Sequence, residues 1–309
     1  MILVLRALGV GDLATGVPAL RGLRRAFPGE ELALAAPGWL APLVELTGAV
    51  DRLVPVDDLT PRVWTLAPPR LAVNVHGRGP QSHRLLAAAR PGRLLAFGCA
   101  AAGFRDGPEW TFEEHEVARW CRLVGWSGIS ADPGDLRLRV PAGRDVPVGA
   151  TVVHPGAKAP ERRWPPGRFA EVARALAADG HRVVVTGSAG ERGIAAAVAR
   201  LAGLGADAVL AGRTDLADLA ALVAHARFVV CGDTGVGHLA TAYEIPSVVL
   251  FGPLPPRLWG PPPDRRSHVP LWPGPGGASD PVLLRISAVD VLAAADSALA
   301  AATERERAR

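Results

Sequence analysis

The sequence predicts an α/β protein made of two Rossmann-like halves with a ligand cleft between them. Three observations predict it. Apolar strand-like runs alternate with segments of helical spacing, the mark of a parallel sheet covered by helices. The pattern lapses in a Gly-, Pro- and Asp-rich stretch, "SGISADPGDLRLRVPAGRDVPVG", and then restarts. Each half also holds a glycine-rich turn that joins a strand to a helix, "GVGDLA" in the first and "GVGHLA" in the second. The implied domains are residues 1–147 and 148–309, and a cleft between two such domains is where ligands usually bind.

The elements follow in order. "ILVLRAL" reads as the first strand, interrupted by Arg6 after five residues. It is too short for a signal peptide. "LATGVPALRGLRRAF" places Leu13, Val17, Leu20 and Leu23 on one helical face. "ELALAAP", "DRLVPV", "RLAVNVHG" and "GRLLAFG" are further strands. "EEHEVARWCRLVGW" is a helix with Val117, Trp120, Cys121 and Val124 inward. After the linker, "ATVVHPG" is a strand and "PPGRFAEVARALAADG" a helix, with Phe169, Val172, Ala173 and Leu176 inward and Gly180 at its end. "HRVVVTGS", "DAVLAG", "RFVVCG" and "PSVVLFGP" are strands, and "ERGIAAAVARLAG" and "DLADLAALVAHA" helices. A last helical segment starts at Ser287, with no preferred partner legible.

Composition bounds the function. The chain has 309 residues, of which 49% are hydrophobic and 21% charged, enough for a sizeable core and not the profile of a disordered protein. A net charge of +4 goes with a single lysine, Lys158, and many arginines. No basic run is interleaved with aromatics, which speaks against a nucleic-acid partner. Three cysteines, Cys99, Cys121 and Cys231, form no CxxC pair, so buried reduced thiols in a cytoplasm are expected rather than disulfides or a zinc site. No apolar run of membrane-spanning length exists. Asp57 and Asp58 read as solvated acids, and no metal and no cofactor are expected.

The two glycine turns resemble the dinucleotide fingerprint G-x-G-x-x-G/A, at Gly9, Gly11 and Ala14 and at Gly235, Gly237 and Ala240. A nicotinamide enzyme also needs an acid near the end of the next strand. The corresponding places read "ALAAPGW" and "VVLFGP", without a carboxylate. That argues against a dehydrogenase, and no G-x-x-x-x-G-K-[ST] exists to make a P-loop. In "CGDTGVGHLA" the glycines let the backbone approach a ligand, the helix start favours a phosphate, and Thr234 and His238 add donors. Asp233 and Thr234 would equally serve as caps and His238 as a core residue. Asp12 reads either as an N-cap or as a carboxylate at the cleft mouth. "HPGAKAPERRWPPGRF" gathers His154, Lys158, Arg162 and Arg163 near Gly156: a cationic loop for a diphosphate, or a solvated loop with Trp164 beneath it. Glu191 suits a helix start or a ribose diol, and Asp215 reads as an N-cap.

Taken together, "LRALGVGDLATGVPALRGLRRAFP", "NVHGRGPQSHRLL", "VVHPGAKAPERRWPPGRF", "VVVTGSAGER", "AGRTDLADLAALVAHARFVVCGDTGVGHLATA" and "PSVVLFGP" resemble, in order and over the whole chain, glycosyltransferase family nine, the ADP-heptose:lipopolysaccharide heptosyltransferases. The resemblance implies a GT-B fold, two facing Rossmann-like domains with the site in the interdomain cleft. It implies an inverting transfer that needs no metal in the chemical step. It places the general base at Asp12 and the donor diphosphate at Thr234, Gly235 and His238, with Asp233 organising the loop. Arg162 stands where the family usually has lysine, with Lys158 and Gly156 nearby. Glu191 matches the ribose-contacting acid loosely, and Thr214 falls where the nucleobase would lie. The acceptor side would be Asn74, His76, Arg78 and Ser82. The implied partners are a nucleoside diphosphate sugar and a glycan or small-molecule acceptor, and peripheral contact with a membrane stays open. Two other readings remain at this stage: a nucleotide-sugar 2-epimerase on a similar fold, and a non-catalytic nucleotide-binding module.

Overall fold

The computed structural model describes residues 1–275 and 282–308. They form two compact units, Met1–Arg139 and Val140–Arg309. The division falls a few residues before the one expected from the linker composition. The reason lies in Arg144, whose guanidinium bonds Asp215 (2.9 Å) and Asp218 (3.0 Å) and so ties the last part of the linker to the second unit.

The first unit is a five-stranded parallel sheet. Its strands are β1 (Ile2–Leu5), β2 (Leu32–Ala36), β3 (Arg52–Pro55), β4 (Leu71–Asn74) and β5 (Arg93–Leu95), in the order β3-β2-β1-β4-β5. Its helices are α1 (Val10–Ala26), α2 (Ala41–Thr47), α3 (Gln81–Ala87) and α4 (Glu116–Gly125). All residues of β1, β2 and β4 are buried, as expected of strands covered on both faces. In α1 the predicted stripe Leu13, Val17, Leu20 and Leu23 is buried, and Arg24 and Arg25 occupy the last turn, where the helix dipole favours cations. In α4 the inward face is Val117, Trp120, Leu123 and Val124. Cys121, expected inward, is only half-buried, as is Cys99, and Cys231 alone of the three is fully buried.

The second unit has strands β6 (Thr151–His154), β7 (Val183–Val185), β8 (Phe228–Gly232), β9 (Ser247–Leu250) and β10 (His268–Leu271), all parallel, in the order β10-β9-β8-β6-β7. Its helices are α5 (Pro166–Ala178), α6 (Arg192–Ala202), α7 (Leu216–Ala224), α8 (Gly235–Ala242), α9 (Pro256–Trp259) and α10 (Ala288–Arg307). The strand expected in "DAVLAG" does not form. A 3-10 turn takes Ala206–Ala208, and a single bridge, Val185 to Val209, is what remains of an edge strand. With that bridge counted, both sheets follow the Rossmann strand order, with a switch point between β1 and β4 in one and between β6 and β8 in the other.

The predicted face of α5 is buried as read, and Gly180 follows it at φ +81°, a left-handed position suited to glycine. The last helix has a definite seat. Val291, Ala294, Ala295 and Ala298 of α10 join Phe169, Val172, Val230 and Val248 in one core, so α10 closes the second sheet. Its cap is Ser287, which accepts from the Asp290 amide while Asp290 accepts from Ser287. Arg309, the end of the charged tail, lies outside the described residues. Among the described residues no helix is long and apolar enough to cross a membrane.

Candidate functional site

In open α/β sheets ligands bind beyond the carboxyl ends of the strands at the switch point. The predicted residues follow strand ends in each unit: Asp12 and residues 74–82 at the first switch point, residues 156–162 and 233–238 at the second, with Glu191 and Thr214 toward the sheet edge.

In the first unit, β1 ends at Leu5 and the chain turns through Gly9 into α1. Asp12 is not the N-cap. The helix begins at Val10, and Asp12 sits in its first turn, where Oδ2 accepts the Gly9 N–H at 3.0 Å. The reason is that Gly9 takes the extended capping conformation, leaving the acid three residues on to reach back. Oδ1 of Asp12 lies 3.8 Å from Nη2 of Arg6, and the carboxylate remains partly open to solvent.

Beyond β4, His76 accepts the Ala7 N–H at Nδ1 (3.2 Å), which puts the proton of the neutral ring on Nε2. Burial, with the Arg6 charge adding to it and Asp12 opposing, pushes the imidazole down to about 4. It is therefore an uncharged donor at neutral pH. Asn74 and Ser82 are buried and spent on the backbone frame. Asn74 Nδ2 donates to Ser82 Oγ (2.9 Å) and to Gly77 O (3.2 Å), and Asn74 Oδ1 accepts the His76 N–H (3.1 Å). These two shape the 74–82 loop from beneath. Arg78 is exposed and lies over the Phe112 ring at 5.1 Å.

In the second unit, β8 runs into Asp233 and Thr234, and α8 starts at Gly235. Thr234 is the N-cap in backbone conformation (φ −143°, ψ 171°) but makes no side-chain cap bond. The amides of Gly235 and Val236 have no partner among the described residues, as the first N–H groups of a helix require when nothing caps them. Gly237 is needed for packing. A Cβ there would lie 3.1 Å from Val249 Cγ2 and 3.4 Å from Cys231 Sγ, so its absence lets α8 settle onto β8 and β9. His238 is half-buried, its ring edge-on to Trp259 with centroids 6.2 Å apart.

The 155–163 loop comes alongside. Arg162 Nη1 bonds Asp233 Oδ2 at 3.4 Å, and the Arg162 carbonyl would be 3.3 Å from a Cβ at Gly232. Arg162 thus stands beside the uncapped start of α8, held by the loop's own acid. The expected cation cluster is smaller than read. His154 is buried, bonds Thr186 Oγ1 through Nδ1 (2.9 Å), and is kept neutral by burial. Arg163 braces the loop by donating to Ala157 O at 2.8 Å. Lys158 is exposed.

Glu191 is a cap. Its Oε2 accepts from Ser188 N and Oγ, both at 2.8 Å. Burial would raise its carboxyl, but those two bonds, with the Arg163 charge, take it below the usual range. Its carboxylate also lies against Gly156, where a Cβ would meet Glu191 Cδ at 2.3 Å. Thr214 is half-buried just before Asp215, the predicted N-cap, which accepts from the Asp218 amide at 2.7 Å.

Two residues to which the sequence reading gave no role lie beside Asp12. Arg6 is 1% exposed, and its guanidinium bonds Thr15 Oγ1 (3.0 Å), Glu116 Oε1 (3.1 Å) and the carbonyls of Asp12 and Val75. Glu116 also accepts from Trp120 Nε1 (2.8 Å) and from Arg119. A charged residue directly after an all-apolar strand was the available signal for Arg6. Glu116 gave none, since its partner is more than a hundred residues away in sequence. Among the described residues no group of three His, Cys, Asp or Glu side chains is placed to hold a metal ion.

Comparison with known proteins follows the same lines. The model of "Glycosyltransferase family 9 (heptosyltransferase)" matches residues 135–273. A lipopolysaccharide heptosyltransferase 2 of Salmonella typhimurium is 36% identical over 108 residues, 33% of this chain, and the match spans only 30% of that relative's length. A lipopolysaccharide heptosyltransferase 1 of the same organism is 24% identical over 290 residues, 84% of this chain and 90% of the relative. Among solved structures, the ADP-heptose lipopolysaccharide heptosyltransferase II of E. coli superposes with a TM-score of 0.77 at 23% identity, covering 96% of this chain and 98% of that one. The shared architecture is the GT-B fold of two parallel-sheet α/β domains.

Proposed function

We propose that this chain, whose residues 135–273 match the model of glycosyltransferase family nine, is a member of that family and an inverting, metal-independent glycosyltransferase that moves heptose or a related sugar from a nucleoside diphosphate. ADP-heptose is the first candidate donor, and the acceptor is a hydroxyl of a lipopolysaccharide-type glycan. The relatives' names support both choices: the curated relatives are lipopolysaccharide heptosyltransferases, and the E. coli structure is named for ADP-heptose.

The observation that carries the reading is the uncapped start of α8 with Arg162 beside it. Two unpaired amides, a helix dipole and a guanidinium are the groups that a diphosphate needs. As the sugar leaves, negative charge grows on the diphosphate, and these fixed donors stabilise it without a cation from solution. Thr234 and His238 add to the same grip. The sugar passes through an oxocarbenium-like state, as in glycoside chemistry generally. Asp12 takes the proton of the attacking acceptor hydroxyl, and the neutral His76 Nε2–H is a donor for the same acceptor. The first unit in this reading supplies the base and the acceptor contacts, and the second holds the donor.

The test is transfer from ADP-heptose to a lipopolysaccharide core that lacks heptose, with and without excess chelator. We expect transfer unaffected by chelator, with the product anomer opposite to that of the donor. Loss of transfer in chelator that magnesium or manganese restores, or retention of the anomer, would overturn the mechanism. A thermal-shift panel of ADP-, GDP-, UDP- and dTDP-sugars identifies the donor, since a ligand at a hundredfold excess over Kd stabilises by about 2.7 kcal/mol.

A further inference from the structure

The first strand is apolar throughout, yet the residue that follows it is an arginine whose guanidinium is shut away from solvent. Burying such a group is costly unless its donors find partners. Here four of its five N–H groups have them. Nε donates to the Asp12 carbonyl, Nη1 to the Val75 carbonyl, and Nη2 to Thr15 Oγ1 and Glu116 Oε1. The arm is held on its other sides too. The guanidinium lies over the Trp120 ring at 4.9 Å, and Gly16 leaves the space it occupies, because a Cβ at that position would sit 3.1 Å from Arg6 Cδ and 3.2 Å from Nε.

Two of these bonds have a common meaning. Asp12 is the proposed base, and Val75 is the residue directly before His76. One rigid, planar group therefore spans the backbone of the base on α1 and the backbone that carries the imidazole after β4. We propose that Arg6 is a positioning residue that sets Asp12 and His76 in a single frame, bridging the first turn of α1 to the end of β4. The catalytic part of this proposal rests on the reading of Asp12 as the base. The framing itself does not.

Lysine cannot replace this function. Its ammonium is a point donor on a flexible stem and lacks the fork that reaches two carbonyls and two side chains at once. Two backbone amides report the frame directly. The Ala7 N–H donates to His76 Nδ1, and the Gly9 N–H donates to Asp12 Oδ2. Their hydrogen exchange reads local opening without any substrate.

The experiment compares the full-length wild type with Arg6→Lys and Gly16→Ala. Arg6→Lys should speed exchange at both amides about tenfold or more, with the β2 amides of Ala33 and Ala35 unchanged. It should lower kcat for transfer about 10²-fold, the effect of misplacing a reacting group by about an ångström. The KM for ADP-heptose, which the second unit holds, should stay within about twofold. Gly16→Ala keeps the arginine and improves helix propensity, but crowds the arm, so it should give a smaller effect of the same pattern. It also decides the question if Arg6→Lys does not fold. Unchanged exchange at Ala7 and Gly9 in these variants, or unchanged kcat in both, overturns the proposal. Asp12→Asn in the wild-type background separates the two readings: if it transfers normally, the assignment of the base fails, while the exchange data still decide the frame.

Discussion

Asp12→Asn divides the structural role of this side chain from the chemical role proposed for it. The structural role is one hydrogen bond, from Gly9 N–H to Oδ2 at 3.0 Å, plus a more distant attraction to Arg6 at 3.8 Å. Asparagine keeps an oxygen able to accept from Gly9. What is lost is the charge assistance of that bond, about 1 kcal/mol. Arg6 keeps its nearer anion, Glu116 at 3.1 Å, and the Asp12 carboxylate is partly in water, so little more is forfeited. For a chain of this size about 1 kcal/mol is roughly 2–4 °C of Tm. The chemical role is different in scale. Loss of a general base costs about 10²–10⁴-fold, or roughly 2.7–5.4 kcal/mol of barrier. The assay is the single-turnover rate of transfer from ADP-heptose, run beside a melting curve and an ADP titration. We expect a folded variant that binds ADP as the wild type does and transfers at least a hundredfold more slowly. A folded Asp12→Asn protein that transfers within threefold of wild type would refute the assignment.

Arg162→Ala should weaken ADP binding about 10–100-fold, because it removes a charge-assisted bond of roughly 1.5–3 kcal/mol and also leaves Asp233 facing the diphosphate without its guanidinium; isothermal titration reads this, and unchanged affinity would make Arg162 a loop brace only. Gly237→Ala should push α8 off Val249 and Cys231 by a few tenths of an ångström, costing about 1–3 kcal/mol of stability and weakening ADP binding with it; a denaturant titration with unchanged midpoint would show the contact to be slack. His268, buried beside Ser247 with Arg265, Arg305 and Glu244 around it, is pushed down to about 4 by burial and then by the two arginines. Between its folded value and 6.5 the unfolded chain binds a proton that the folded one does not, so stability rises with pH across that window, by up to about 3 kcal/mol. His268→Asn should lessen the pH dependence of Tm between pH 4 and 6.5, leaving the share of His76, which is pushed down to the same value, and an equally steep profile in the variant would exclude His268 as a source.

The alternation of strands and helices was legible because β1, β2, β4, β6 and β8 are buried on both faces and so read as unbroken apolar runs. "DAVLAG" shows the limit of that signal. It has the apolar residues of a strand but sits at the sheet edge, where Gly205 and Gly212 turn the chain and one bridge at Val209 is all that pairs. The seat of α10 was illegible for another reason. Its buried face is almost wholly alanine, and alanine spacing does not say which sheet it will meet.

The site divides along the same line. Glycine turns are local, so "GVGDLA" and "GVGHLA" marked the switch points from sequence alone. Which residue of a turn does what is not local. Asp12 reads as a cap from its neighbours, and only the extended backbone of Gly9 makes it the acid that reaches back from the first turn. His154 and Arg162 lie in one short segment and read as equal cations, yet burial and Thr186 make the first a neutral framework group, while the second pairs with Asp233 beside the start of α8. The same holds for Arg6 and Glu116, a buried ion pair that joins the two ends of the first unit across 110 residues. Charges that contact a ligand and charges that hold the scaffold draw on the same residue types, and what separates them is burial and the identity of the partner. In this chain the half-buried Arg162 stands beside an uncapped helix start, and the buried Arg6 is held by two carbonyls, Thr15 and Glu116. That difference is the ground on which we propose the first for the donor and the second for the geometry of the proposed base.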